Sequence, residues 1–325
     1  MTDWRIFQGT GVPSFNIENL PSPPPWRQFS RGNMTRHRGS TFSIGPEAID
    51  LINAALYLRR PLLVTGKPGT GKSSLAYAVA YELQLGEVLY WPITTRTILK
   101  DGLYSYDAIG RLQDMQLRAN SESLSEIGQY IRLGALGTAL LPSSKPRVLL
   151  IDDFDNSDID LPNDLMHIFE EGRFEIPELA RVRQIASNVV VQTAYRDQME
   201  VTFQDETTII QDGQIYCSEF PFVILTSNGE RDFPPQFLRS CIRLLMKEPS
   251  AEELARIVAS HLGETVAQQA EELIHSFLGR RYTGSGELAT DQLLNAVFLL
   301  THTQAPEKQF LIDNLLKSLS SMEDV

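Results

Sequence analysis

The stretch Gly66-Lys67-Pro68-Gly69-Thr70-Gly71-Lys72-Ser73 holds three glycines, two lysines and a terminal hydroxyl within one short segment. Glycines at 66, 69 and 71 let the backbone wrap a phosphate chain, so that several amide donors and the start of the next helix face the anion. In such a loop Lys72 reaches the β- and γ-phosphates, and the Ser73 hydroxyl ligates magnesium. Gly66, Lys67, Pro68, Gly69, Thr70, Gly71, Lys72, Ser73 and Ser74 are the expected nucleotide contacts, and ATP and Mg2+ the expected cofactors.

A second group of chemical residues ends the run Val148-Leu-Leu-Ile-Asp152-Asp153. Asp152, at the strand end, is placed to hold magnesium, and Asp153 to orient or deprotonate the attacking water. Asp155, Asp158 and Asp160 follow and read as turn and helix-capping residues ahead of Leu161-Pro162.

These residues need a scaffold that holds strand ends beside a helix N-terminus. Leu62-Leu63-Val64 reads as a buried strand, and from Ser74 apolar residues fall at helical spacing. Further strands are expected at Val88–Ile93, Arg147–Ile151 and Phe222–Thr226, and helices at 46–59 and 161–171. Between them, Ile127–Gly134 and Leu133–Leu141 read as short helical pieces. Glu200–Phe203 and Gln214–Cys217 read as a hairpin turned at Asp212-Gly213. The alternation predicts an α/β fold, a parallel sheet flanked by helices, over residues 41–248. From Ser250, whose Ser-Ala-Glu-Glu is a capping box followed by Leu254, Ile257, Val258 and Leu262 on one helical face, residues 249–325 read as an all-α lid domain with further helices at about 264–278, 290–301 and 307–320. Residues 1–40 carry five arginines against two acids, with Pro-Ser-Pro-Pro-Pro-Trp at 21–26, and read as an extended strap pinned by Trp4, Phe7, Phe15 and Trp26.

The net charge of −12 argues against non-specific nucleic-acid binding as the main activity. No run approaches the ~20 apolar residues of a membrane span. Pro, Asn and Arg interrupt any apolar stretch near the start, so no signal peptide is expected. Two cysteines and five scattered histidines indicate neither a disulfide framework nor a zinc site, and a reducing cytoplasm is the expected compartment.

Taken in order, the phosphate loop, the Leu-Leu-Ile-Asp-Asp strand, Phe222-Val-Ile-Leu-Thr-Ser-Asn228 and Pro234-Pro-Gln-Phe-Leu-Arg-Ser-Cys241 resemble an AAA+ ATPase. Leu99–Gly110, Leu161-Pro-Asn-Asp-Leu and Phe169–Pro177 resemble its MoxR branch. The resemblance covers about residues 40–320 and implies an AAA+ P-loop domain with a C-terminal helical lid. It also implies ATP hydrolysis, a homo-oligomeric ring (a hexamer) and remodelling of a protein client or adaptor. By the same resemblance Asn228 matches the polar residue that places the lytic water, and Arg239 the arginine finger that acts across a subunit boundary. An arginine suits that task because its planar fork neutralises charge developing on the γ-phosphate.

The chain departs from the family pattern in three places. Asp153 stands where the family has Glu, Ser240 where it more often has Arg, and the lid lacks a clean second sensor arginine, Arg280 and Arg281 reading as distant substitutes. The first and third departures leave open a slowly hydrolysing ATP-dependent switch or scaffold. The basic strap leaves open a DNA-remodelling motor.

Overall fold

The structure, a computed structural model, describes residues 6–9, 15–27, 39–40, 42, 44–117, 124–195, 206–282, 288–302 and 309–316. Its centre is a parallel sheet of five strands: β1 (Leu62–Thr65), β2 (Leu89–Pro92), β5 (Val148–Asp152), β10 (Phe222–Ser227) and β11 (Ile242–Leu245). They lie in the order β11-β1-β10-β5-β2. All neighbouring pairs are parallel. The three inner strands, β1, β10 and β5, carry side chains to both faces and both faces are covered, while the edge strands β2 and β11 expose every second residue. Leu62, Val64, Val148, Leu150, Phe222 and Ile224 pack with the helices Pro46–Leu58 and Ser74–Glu82. Leu63, Leu149, Ile151, Val223 and Leu225 point the other way, onto Leu136, Phe154, Leu165 and Phe237. That two-sided burial is why the inner strands read as unbroken apolar runs.

Beside the central sheet stands a second, six-stranded sheet in the order β3-β4-β7-β8-β9-β6. It is built from Tyr104–Tyr106 (β3), Ile131–Leu133 (β4), Arg173–Glu175 (β6), Asn188–Gln192 (β7), Thr207–Gln211 (β8) and Gln214–Tyr216 (β9). The expected hairpin is present but shifted: its first strand is Thr207–Gln211, and Glu200–Phe203 lie outside the described residues. Asp212 and Gly213, at φ 53° and 73°, make the left-handed turn that their residue types favour. The expected helical piece at Ile127–Gly134 is corrected. Leu124–Tyr130 is a 3-10 turn, and Ile131–Leu133 is pulled into the sheet by pairing with Tyr104–Tyr106 and a bridge to Gln192. The helix Ala135–Ala139 follows.

C-terminal to the sheets, Ala251–Leu262, Glu264–Gln269, Glu271–Tyr282, Thr290–His302 and Gln309–Leu315 are helices. They share an apolar cluster centred on Leu254, Val258, Phe277, Leu293 and Val297. The capping box is made in full. Ser250 Oγ accepts from the Glu253 amide at 3.3 Å, and Glu253 Oε2 accepts from the Ser250 amide at 2.8 Å. The N-terminal anchor is narrower than expected. Trp26 packs on this helical cluster, donating from Nε1 to Asn295 Oδ1 at 3.0 Å and meeting Phe298 edge-on, whereas Phe7 and Phe15 are exposed. Trp4 lies outside the described residues.

Among the described residues no helix is long and apolar enough to cross a membrane.

Candidate active site

Three parallel strands deliver the chemical residues to one edge. β1 runs into the glycine loop, β5 ends at Asp152, β10 ends at Ser227, and Asn228 follows. In-register pairing, Thr65 beside Ser227 and Leu225 beside Ile151, fixes how far each strand projects. The Gly66 amide donates to Ser227 O at 3.2 Å, which ties the loop's first residue to the neighbouring strand.

The loop adopts the conformation its glycines permit. Gly66, Gly69 and Gly71 have φ of 155°, 76° and 89°. At Gly69 the need is steric as well as conformational: an added Cβ would stand 2.6 Å from Ala289 Cβ and 2.7 Å from the Thr290 amide nitrogen. The phosphate loop therefore rests against the start of the Thr290–His302 helix.

Lys72 is buried, 7% exposed, and its ammonium donates to Gly66 O at 2.7 Å, Lys67 O at 3.0 Å and Asn228 Oδ1 at 2.7 Å. Burial lowers its pKa, opposed by the charges of Asp153, Asp152 and Asp155. Asp152 receives two hydroxyls on one oxygen, from Ser73 at 2.7 Å and Thr226 at 2.6 Å. Its other oxygen takes the Tyr90 hydroxyl at 3.4 Å. Burial first, and then Asp152, push the Tyr90 pKa up to about 12.

Asp153 holds a left-handed backbone, φ 57° and ψ 49°, and its amide donates to Thr226 Oγ1 at 2.9 Å. Asp and Asn tolerate that conformation better than longer side chains do, which gives a physical reason for the shorter acid here. Burial, then the neighbouring Asp152, raise the Asp153 pKa, with Lys72 opposing.

The geometry thus brings together Lys72, Ser73, Asp152, Asp153 and Asn228. Ser73 Oγ beside the Asp152 carboxylate is a hard-oxygen pair of the kind magnesium takes alongside phosphate oxygens and water, so these residues fit the metal. This constellation lies within a family match that runs over residues 61–234, just over half of the chain, to "AAA domain (dynein-related subfamily)". The chain belongs to that family.

The fold is accordingly the AAA+ P-loop α/β fold, with the parallel sheet flanked by helices and further helices at the C-terminus. Among solved structures this AAA domain is similar to the Thermotoga maritima RuvB Holliday junction branch migration motor, at 17% identity over 79% of this chain and 70% of that chain, with a TM-score of 0.32. The likeness is loose, and the family assignment rests on the sequence match. No curated protein matches the chain.

Several residues of the AAA domain's site were not singled out in its sequence. Thr226 bridges Asp152 to the Asp153 backbone, and its only signal was a polar run, Thr-Ser-Asn, ending an apolar strand. Asp155 is not a capping residue: its carboxylate accepts from Ser227 Oγ at 2.9 Å and from the Asn228 amide, and so fixes the Asn228 loop. Asp160 sits at the N-cap of the Leu161–Glu171 helix but makes no side-chain cap bond, and Asp158 accepts from the adjacent Ile159 amide.

Arg281 is nearer than expected. Its buried guanidinium pairs with Glu248 at 3.4 Å, and Glu248 pairs with Lys67 of the phosphate loop at 3.2 Å. The sequence had no signal for that bridge, because its three members lie far apart in the chain. Arg280 pairs instead with Asp313 at 2.5 Å.

Arg239 does not join the cluster. It is exposed on the Pro235–Ser240 helix, and its guanidinium has no partner among the described residues. That helix is anchored through Phe237, whose ring lies 5.3 Å from that of Phe154, next to Asp153.

Proposed function

We propose that this chain is a MoxR-like AAA+ ATPase that binds ATP with magnesium, hydrolyses it in a homo-oligomeric, hexameric ring, and remodels a protein client in the cytoplasm. The observation that carries the reading is the meeting of three strand ends at Asp152, where the Ser73 and Thr226 hydroxyls share one carboxylate oxygen.

In this reading Gly66–Ser74 cradle the triphosphate through backbone amides, and the Lys72 ammonium exchanges loop carbonyls for phosphate oxygens. Ser73 and Asp152 would hold magnesium, which supplies charge neutralisation on the phosphates when bound. Asp153 orients the lytic water and takes its proton, and Asn228, held by Asp155, presents its amide to the same water. Arg239, exposed and with no guanidinium partner among the described residues, serves a neighbouring subunit's site, a role supported by its absence from its own. Residues 41–248 form the nucleotide domain, 249–325 the lid and 1–40 the strap. Ile109, Leu112 and Met115, exposed on one helix, supply apolar surface for a protein contact.

The test is ATP turnover with and without magnesium, together with native mass spectrometry in a slowly hydrolysed ATP analogue. Turnover and a ring of defined stoichiometry are expected; a monomer under every nucleotide condition would refute the ring.

A slowly hydrolysing switch is favoured by two observations, the left-handed Asp153 backbone and its raised pKa. Under that reading the parent binds ATP but turns it over slowly, since ~1 Å of misplacement at the base costs ~100-fold, and turnover measured beside Asp153→Glu separates the two readings.

A further inference from the structure

At the opposite end of β5 from Asp152, Arg147 lines a cavity of about 230 Å³ with Leu141, Pro142, Ser143, Ser144, Thr193, Tyr195, Thr207 and Thr208. Arg147 is 7% exposed. Its terminal nitrogens donate to Leu141 O at 2.5 Å and Pro142 O at 3.4 Å, which leaves Nε buried and without a partner. A buried guanidinium N–H left unbonded costs about 1–3 kcal/mol or more, and such groups in folded proteins call for an explanation.

Nε itself is shut off from the cavity, so the lining presents the guanidinium charge, and not that N–H, to a ligand. Among the described residues no carboxylate lines the cavity, so none of them neutralises the Arg147 charge within it. Hydroxyls surround it instead. Those of Ser144, Thr207 and Thr208 make no hydrogen bond with any described residue, and Ser144 and Thr207 are exposed at the mouth. A cation at the base with hydroxyl donors on several sides matches a tetrahedral oxyanion, whose oxygens accept from different directions. The volume falls below the ~300 Å³ of pockets for drug-sized ligands, so the fitting compound is small.

We propose that this cavity is a second anion site, separate from the phosphate loop, that takes inorganic phosphate or a small phosphomonoester. β5 spans five residues between Arg147 and the Asp152 end, roughly 17 Å of strand at ~3.3 Å per residue, so the two sites share no ligand. A ligand here contacts both the 141–147 loop and the β7–β8 edge, joining the central sheet to the second one.

The experiment is calorimetric titration of inorganic phosphate, and separately of glycerol phosphate, into the full chain carrying Lys72→Ala, which removes the loop lysine from the background. One saturable site is expected, weakened at least tenfold by Arg147→Gln. Because Arg147 also holds two loop carbonyls, a folded double variant, Ser144→Ala with Thr208→Val, provides the second arm and is expected to weaken binding at least threefold. Tighter binding of glycerol phosphate assigns the source to a phosphomonoester, and tighter binding of phosphate to the free ion; either supports the site. Absence of saturable binding, indifference to the double variant, or equal binding of acetate would overturn it. None of these outcomes depends on whether the protein hydrolyses ATP.

Discussion

Replacing Thr226 by valine removes one oxygen and almost no volume from a side chain that is 1% exposed. The oxygen has two tasks: it donates to Asp152 at 2.6 Å and accepts from the Asp153 amide at 2.9 Å. Losing the first forfeits a charge-assisted bond of about 1.5–3 kcal/mol. Losing the second leaves a part-buried N–H unsatisfied, at about 1–3 kcal/mol. The added methyl returns ~0.8 kcal/mol of apolar burial, so the net destabilisation expected is about 3 kcal/mol. For a cooperative unit of ~200 residues that lowers Tm by about 6–12 °C. Thermal unfolding followed by circular dichroism without nucleotide reads this directly, and Thr226→Ser, which keeps the oxygen, is expected to recover more than half of the loss. Turnover by the Val variant should also fall by about 10- to 100-fold, because the Asp153 backbone loses the bond that sets its left-handed turn. A Tm within ~2 °C of the parent would refute the reasoning, since it would mean that water satisfies Asp153 N–H and Asp152 without Thr226.

Lys72→Ala is expected to abolish tight ATP binding in a fluorescent-nucleotide titration, because the point charge on the β- and γ-phosphates is lost; unchanged affinity would sink the phosphate-loop role. Asp153→Asn, which suits the same left-handed backbone, should keep ATP and magnesium bound while turnover stops. In the parent, Asp153 acts in its ionised form and its pKa is raised, so activity should disappear as pH falls through a value above that of a free aspartate; an acid limb at or below the free-aspartate value would argue against it. Gly69→Ala should weaken ATP binding and loosen the loop from the Thr290 helix, because its Cβ meets backbone there, and limited proteolysis that finds the two still locked together would contradict this. Arg239→Ala should leave nucleotide binding intact and cut hydrolysis by ~10³-fold or more. Mixed with Asp153→Asn subunits it should regain part of that activity; mixed rings that recover none would end the trans role and move attention to Arg243.

What the sequence determined on its own was local. Three glycines, Lys72 and Ser73 between an apolar run and an amphipathic helix specify an anion-binding turn, because backbone freedom and helix-end amides belong to neighbouring residues. The inner strands β1, β5 and β10 were legible for a similar reason: burial on both faces leaves an unbroken apolar run, whereas β2, at the edge, alternates buried Leu89 and Trp91 with exposed Tyr90 and Pro92. The Ser250 capping box was equally plain, being a contact between residues three apart. Pairing across the chain was decided only by the tertiary structure. Ile131–Leu133 is a strand because Tyr104–Tyr106 lies beside it, and β11 escaped notice because its exposed Arg243 and Leu245 break the apolar run at the sheet edge. Asp155 looked like one more turn acid until β10 ended beside it, and Thr226 looked like the tail of a strand until β5 brought it the Asp152 carboxylate. Local propensity and steric freedom are written in consecutive residues. Which carboxylate meets which hydroxyl depends on how far each strand runs before it ends, and that distance is set by registers between segments more than 70 residues apart.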